Sequence, residues 1–157
     1  MADEFTRECL ALEVGSRVDS ARVRDALGPL LERRGAPIFV RSDNGGEFIS
    51  RLLAVFLSKS GTGSRLITPG SPWENPFVET FHSTLRRDCL DVEVFVNLAD
   101  ARLKLTAYRQ YYNEVRPHSS LGHLPPAAAA QAWKASLASP AFLSMPGVQP
   151  PLSNREI

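Results

Sequence analysis

The stretch Ile38-Phe39-Val40-Arg41-Ser42-Asp43-Asn44-Gly45-Gly46 is typical of a short buried strand that ends in polar residues and a turn. The apolar residues come first, and the turn formers follow Asp43 directly. Asp43 is therefore predicted at the carboxyl end of a strand, where ligand sites gather in open α/β sheets. Taken alone, however, an Asp-Asn-Gly sequence is more often a turn whose side chains bond their own backbone.

Strands and helices are predicted to alternate on both sides of this stretch. Gly28-Pro29 should kink the first helix or break it in two, because proline removes a backbone donor. The second helix is expected to be buried through Leu52, Val55 and Phe56. In chain order the prediction is strand 5–14, helix 20–34, strand 38–43, helix 50–60, strand 65–68, helix 75–90 and helix 97–115. Such alternation predicts a three-layer α/β domain.

The composition is that of an ordinary globular domain. The chain has 157 residues, of which 43% are hydrophobic and 22% charged, and its formal net charge is +1. No apolar run is long enough for a membrane span and no secretory signal is visible, which predicts a cytoplasmic protein without a membrane partner. Cys9 and Cys89 cannot build a disulfide framework and lack zinc-ligand spacing. Neither zinc nor ATP is expected, since there is no glycine-rich nucleotide loop.

Proline marks the predicted end of the packed domain. Six of the twelve prolines follow Leu124, together with a run of alanines at 127–130. We therefore predict a packed domain over residues 1–123 and a proline- and alanine-rich tail over 124–157. The tail has room for one short helix at 127–137 and is predicted to be extended or disordered beyond Ser139.

Glu79 is the second candidate for chemistry. Asn75 is predicted to cap its helix and Pro76 to occupy the first helical position, which puts Glu79 in the first turn. Helical spacing places Glu79, His82 and Arg86 on one face, beside a separate apolar face. Taken alone, this pattern is more typical of a solvated helix face than of an active site.

Asp43 and Glu79 gain meaning from their spacing and their neighbours. Thirty-five residues separate the two acids, and Arg86 follows Glu79 by two helical turns. The stretches around them are 3–8 (DEFTRE), 42–48 (SDNGGEF), 69–75 (PGSPWEN), 78–86 (VETFHSTLR) and 112–122 (YNEVRPHSSLG). In this order the stretches resemble the catalytic core of DDE transposases and retroviral-type integrases, most closely the bacterial insertion-sequence-three family. The resemblance covers about residues 3–130.

The resemblance implies an RNase H-like fold in which Asp43 is the second catalytic acid and Glu79 the third. It implies cleavage and transfer of DNA strands with a pair of Mg²⁺ (or Mn²⁺) ions held by the acids. Carboxylate oxygens suit such hard cations. The implied partners are DNA, as transposon ends and target, and further copies of the chain in a homodimer or other oligomer. The implied compartment is the bacterial cytoplasm.

The first acid of the family, an Asp on the first strand, has no match in this sequence. Asp3 belongs to a stretch that follows that strand in the family, and it stands too close to Asp43 for the first-to-second spacing. We therefore expect a core without its first strand, with weak metal binding and little activity of its own. Should activity be found, Asp3 or Glu4 would be the first candidates for the missing acid.

Two alternatives to a transposase core stay open at this point. One is a catalytically inert remnant that folds and binds DNA or a partner chain. The other is an RNase H-like nuclease of a different pathway. The 112–122 stretch favours a transposase over a general nuclease, because the family carries such a segment.

The predicted DNA-binding residues are basic, polar or aromatic side chains near the predicted acids and on the last long helix. Trp73 is suited equally to stacking on a base and to covering the edge of the core. Asn75 is expected to cap its helix before it touches DNA. The full set is Arg86, Arg87, Arg102, Arg109, Asn75 and Trp73. With a net charge of +1, we expect binding to be weak and salt-sensitive.

Overall fold

A computed structural model describes residues 1–137 as a mixture of helices and a small parallel sheet. The elements are α1 (Ser20–Arg34), β1 (Phe39–Ser42), α2 (Arg51–Lys59), β2 (Gly63–Leu66), α3 (Pro76–Leu85), α4 (Leu98–Glu114) and α5 (Pro126–Leu137). Short 3₁₀ turns lie at Pro72–Glu74 and Ser119–Leu121, and a π-helical turn, Arg86–Leu90, continues α3. None of these helices combines the length and apolar character that a bilayer span requires. The predicted tail beyond Ser139 lies outside the described residues.

The sheet that presents Asp43 is the parallel pair of β1 and β2, with Val40 opposite Ser64. The Ile67 N–H donates to the Ser42 carbonyl at 3.0 Å and extends the ladder beyond the strand ends. The strand predicted at 65–68 is thus formed two residues earlier. A Cβ at Gly63 would lie 2.5 Å from the Phe39 ring, so glycine is what allows β2 to begin this close to β1.

The strand predicted over residues 5–14 is not formed. Cys9 makes one isolated antiparallel bridge with Ala2, and within residues 1–137 no ladder continues from it. Side chains of α4 take the place of a neighbouring strand. The Asn113 side chain accepts from the Cys9 N–H at 2.8 Å and donates to the Cys9 carbonyl at 2.9 Å, and Arg109 donates to the Leu10 carbonyl. Strand-forming residues need a backbone partner, and here the partner is a helix face.

α1 is a single helix through Gly28-Pro29, so the predicted break there is wrong. Pro29 is exposed, whereas Leu27 and Leu30 on either side of it are buried. Apolar packing on both sides therefore holds the helix together despite the missing backbone donor. The start of α1 is as expected, since the Asp19 carboxylate accepts from the Arg22 N–H.

The face that α2 buries differs from the predicted one at Leu52 and Val55, while Phe56 packs against the core partly buried. Leu53 and Leu57 are buried, while Leu52 and Val55 are 40% and 45% exposed. Because β1 and α1 lie on the same side of α2, only one row of its apolar residues reaches the interior. That row joins a cluster made of Val23, Leu27, Val40, Leu53 and Leu57.

A second apolar cluster joins α3 to α4, and α5 closes the end of the fold. The second cluster consists of Cys9, Phe81, Leu85, Cys89, Tyr108 and Tyr112. The helix expected at 127–137 is present, and its Trp133 ring lies 4.7 Å from the Phe5 ring. Ordered, packed structure thus continues past residue 123, while the division into a 1–123 domain and a 124–157 tail stays a prediction.

Candidate active site

Asp43 stands directly after β1, as its sequence predicts. Its Oδ1 accepts from the Gly45 N–H at 3.1 Å, so the predicted Asx turn is also present. Next to it, the Asn44 amide donates to the Ile67 carbonyl at 2.8 Å and ties the turn to the chain that leaves β2. The turn and the ligand-site interpretation are therefore compatible. One carboxylate oxygen of Asp43 orders the turn, and the side chain as a whole is exposed.

The loop between β2 and α3 brings Glu79 towards Asp43. The Thr68 N–H donates to the Glu74 carboxylate at 2.8 Å, and this hydrogen bond lowers the pKa of Glu74. The Arg41 guanidinium donates to the Glu74 carbonyl at 2.9 Å. Since Arg41 belongs to β1, these contacts hold the start of α3 close to the strand that ends in Asp43.

Asn75 precedes α3 but does not cap it with its side chain, in contrast to the expectation from sequence. Its φ and ψ are −131° and 58°, outside the extended region that a capping residue usually adopts. Asn75 is instead one of the residues that line the cavity shared by the two acids. Pro76 does occupy the first helical position, and Glu79 is exposed in the first turn.

Asp43 and Glu79 line the same cavity, which has a volume of about 250 Å³. Its other polar or charged lining residues are Arg41, Ser42, Asn75 and His82. Its apolar lining comes from several parts of the chain, namely Met1, Ala2, Val23, Leu27, Val40, Phe48, Ile67 and Val78. The fold thus brings two acids, with 35 residues between them in the sequence, to the same cavity.

The two acidic residues that line this cavity offer hard oxygen ligands, and the basic residues Arg41 and His82 also belong to its lining. Two carboxylates suit Mg²⁺ or Mn²⁺, because Mg²⁺ is commonly held by one or two carboxylates together with water and phosphate. No cluster of three or more acidic, histidine or cysteine side chains suited to a metal occurs within residues 1–137. Among the described residues, Asp43 and Glu79 are the acidic residues that line this cavity.

Asp3 and Glu4 are engaged elsewhere. Asp3 is 1% exposed, and its carboxylate accepts from the Phe5 and Thr6 N–H groups and from the Arg34 guanidinium. Glu4 pairs with Arg41 at 3.4 Å. Neither acid lines the cavity that holds Asp43 and Glu79.

A shallow groove continues from the cavity along α3. Glu79 and His82 line both spaces, and the groove, about 640 Å³, extends past Arg86 and Arg87. Helix 75–90 was predicted as one α-helix, but its last part, Arg86–Leu90, is a π-helical turn. Such turns are frequent at functional sites. Arg86 is exposed on the Glu79 face, as the spacing predicts, and Arg87 donates to Asp88 at 2.7 Å.

The other predicted DNA-binding residues differ in how far they are already engaged. Trp73 is 71% exposed, so it does not cover the edge of the core. Arg102 donates to the Val14 carbonyl at 3.3 Å, and Arg109 donates to the Leu10 carbonyl at 3.2 Å. The polar face of α4 thus binds the 9–14 segment of the chain. A DNA role for these residues stays a prediction.

Sequence reasoning assigned no role at the site to Ser42 or His82, although both line the cavity. For His82 the signal was present, since it lies three residues after Glu79 on the same helix face. Ser42 follows Arg41 on β1, and no local pattern distinguishes it from an ordinary strand residue.

Comparison with known proteins gives a consistent set of relatives. Two family profiles described as "Integrase core domain" match residues 1–72 and 60–126. An uncharacterized 39.2 kDa protein of insertion element IS476 from Xanthomonas euvesicatoria is 37% identical, covering 94% of this chain and 43% of that protein. Transposase InsF of insertion sequence IS3A from Escherichia coli K12 is 28% identical and covers 79% and 44% respectively. The chain spans about half the length of these curated relatives or slightly less.

Solved structures show the same fold at low sequence identity. The catalytic core domain of BIV integrase superposes with a TM-score of 0.59 at 18% identity, covering 81% of this chain and 80% of that one. The simian T-cell lymphotropic virus intasome structure matches with a TM-score of 0.60 at 15% identity, covering 87% and 46%. The predicted RNase H-like α/β fold is confirmed.

Proposed function

Because the chain belongs to the integrase core domain family of DDE transposases and retroviral-type integrases, we propose that it is the C-terminal part of a transposase catalytic core. It acts in DNA integration and transposition through metal-dependent cleavage and transfer of strands. The observation that carries this proposal is the cavity shared by Asp43 and Glu79. Its intasome and transposase relatives support DNA as the partner and a multi-copy assembly as the working form.

Asp43 and Glu79 would hold Mg²⁺ or Mn²⁺, which when bound stabilises the charge that develops on the reacting phosphate oxygens. Asp43 is oriented for this role by its turn, since one of its oxygens is fixed by the Gly45 N–H. Glu79 makes no side-chain hydrogen bond or ion pair within the described part of the chain, so its carboxylate is available as a ligand. Two protein ligands, in place of three, hold a metal weakly.

The DNA strand would follow the groove that leaves the cavity. Arg86 and Arg87 supply positive charge for backbone phosphates along it. Asn75 lies in the cavity itself and offers an amide to a phosphate or terminal base. Trp73, exposed just before α3, offers a surface on which a base stacks.

Metal binding tests the site directly. Mn²⁺ titrated into the full chain should bind weakly, and Asp43→Asn or Glu79→Gln should each lower its affinity by about tenfold or more. Glu32→Gln, an exposed carboxylate on α1 that does not line the cavity, serves as the matched control and should leave the affinity unchanged. Equal Mn²⁺ affinity in all four proteins would overturn the site.

Activity of this chain is a separate question. We expect nicking and strand transfer by the chain alone to be slow with either Mg²⁺ or Mn²⁺, because two acids position the reacting groups poorly and misplacement by about 1 Å costs roughly a hundredfold in rate. Robust activity that Glu79→Gln abolishes would show that two acids suffice. Cleavage without any joined product would instead favour an RNase H-like nuclease.

A further inference from the structure

Arg7 has an unusual conformation and an unusual environment. Its φ is 63°, in the left-handed region, where side chains other than glycine, asparagine and aspartate are uncommon. Its guanidinium carbon lies 3.5 Å from the centre of the Phe77 ring. The Nε and Nη1 atoms are buried and have no hydrogen-bond partner within the described residues. Burial also lowers the pKa of this guanidinium.

These features are costly to folding. A left-handed backbone at a large residue is strained, and buried donors without partners lose their hydration. A glycine at this position would avoid both costs. Strain of this kind, held in place by its surroundings, is a reason to look for a function.

Phe77 connects Arg7 to the candidate active site. It is the second residue of α3 and lies two residues before Glu79. The first turn of α3 has no side-chain cap from Asn75, although Pro76 suits the first helical position. The Glu79 N–H does donate to the Asn75 carbonyl, at 3.2 Å. A contact from outside the helix is therefore needed to fix the direction in which this turn leaves the loop.

We propose that Arg7 is a positioning residue for Glu79, acting through its stack on Phe77. The planar cation over the ring clamps the first turn of α3 against the 3–8 stretch and so directs the Glu79 carboxylate into the cavity beside Asp43. This inference rests on the proposed role of Glu79 and assigns a purpose to the 3–8 stretch, which contributes no metal ligand itself.

Hydrogen exchange separates this role from ordinary stabilisation. In Arg7→Gly the backbone strain disappears together with the stack, so the melting temperature should change little. The amides of Glu79 and Thr80, the first in α3 to have a backbone acceptor one turn earlier, should nevertheless exchange about tenfold faster than in the wild-type chain. His123→Gly is the matched control, because His123 has the same left-handed backbone (φ 65°) and is exposed. It should leave exchange in α3 unchanged.

A second readout is the affinity of the chain for Mn²⁺. Mn²⁺ affinity should fall about tenfold in Arg7→Gly and in Phe77→Leu, and no further in the double variant, since both changes remove one interaction. Arg7→Lys, which keeps the charge but loses the planar stack, should restore only part of the affinity.

Hydrogen exchange and Mn²⁺ affinity together distinguish the positioning role of Arg7 from the proposed metal site. Unchanged exchange at Glu79 and Thr80 in Arg7→Gly overturns the positioning role, whatever the Mn²⁺ affinity does. Faster exchange in a chain that shows no Glu79-dependent Mn²⁺ binding supports the positioning role and overturns the metal site. A large drop in melting temperature with faster exchange throughout the chain would show that Arg7 is only structural.

Discussion

At the scale of single residues, Asp3, which the sequence offers only as a substitute for the missing first acid, has a structural role. Asp3 accepts two backbone N–H groups of the turn at 3–8 and pairs with Arg34 at 3.1 Å. Glu8 binds the same guanidinium at 2.5 Å. One half-buried arginine thus joins the 3–8 stretch to the end of α1, and a network around a buried carboxylate such as Asp3 is sensitive to the loss of any member.

Glu8 should make stability depend on pH. Burial alone would raise the pKa of this carboxyl, but hydrogen bonds from Arg34 and Thr6 outweigh it and hold the pKa below the usual value. A group with a depressed folded pKa stabilises the protein above its unfolded pKa, about 4.3, and this contribution is lost as the pH falls below that value. Urea denaturation at about pH 6 and pH 3.5 should therefore show a smaller loss of unfolding free energy in Glu8→Gln than in wild type.

The control for this experiment is Glu114→Gln, an exposed carboxylate at the end of α4. It should lose as much unfolding free energy between the two pH values as wild type does. If Glu8→Gln behaves like Glu114→Gln, the Arg34 network does not couple folding to protonation.

At the scale of elements, a helix supplies the hydrogen-bond partners that the sequence predicts from a neighbouring strand. α4 binds the backbone of the 9–14 segment through Asn113, Arg109 and Arg102. α1 crosses a Gly-Pro pair without breaking because its buried face continues on both sides. In both places tertiary packing overrides the local preference of the chain.

Pro29 should accordingly lower the free energy of unfolding, by an amount that the fold tolerates. Replacing Pro29 with alanine restores a backbone donor inside α1 and removes a clash with the preceding turn. The free energy of unfolding should rise by about 1–3 kcal/mol in Pro29→Ala, because the ring is exposed and contributes little packing. Pro76→Ala is the matched control, since proline at the first helical position costs nothing there. Chemical denaturation of both variants measures the difference, and a destabilised Pro29→Ala would mean that the kink geometry itself is needed.

At the scale of the whole molecule, charge is nearly balanced, and DNA affinity must come from where the arginines lie. The net charge is +1, but Arg86 and Arg87 line the groove beside the carboxylates. Arg102 and Arg109 already donate to backbone carbonyls, so they contribute less to an open basic surface. The described residues, 1–137, therefore offer a few arginines for phosphate contacts.

Salt dependence measures how many contacts form. The slope of log K against log salt for duplex DNA should be about −2 to −4, as expected for two to four phosphate contacts. Arg86→Gln should reduce the steepness by about one. Arg33→Gln, an exposed arginine at the end of α1, should leave the slope unchanged. Fluorescence anisotropy over a salt series is the measurement, and a slope near zero in wild type would contradict the electrostatic account.

The local chemistry of this protein could be predicted from sequence because it depends on neighbours along the chain. The turn after β1, the capping of α1 by Asp19, the helix that carries Glu79 and the fold family all follow from short-range patterns and motif order. The two acids were singled out for the same reason, since each stands at the end of a recognisable element.

The contacts between distant segments were decided only by the tertiary structure. No local pattern indicates that Arg34 engages Asp3 or that Arg7 lies over Phe77, whereas a shared site for Asp43 and Glu79 was already implied by the family resemblance. Nor does propensity reveal whether the 5–14 segment finds a strand or the face of α4 as its partner. Such choices depend on which buried groups can satisfy one another once the chain is folded, and that is a property of the packed molecule rather than of any one stretch.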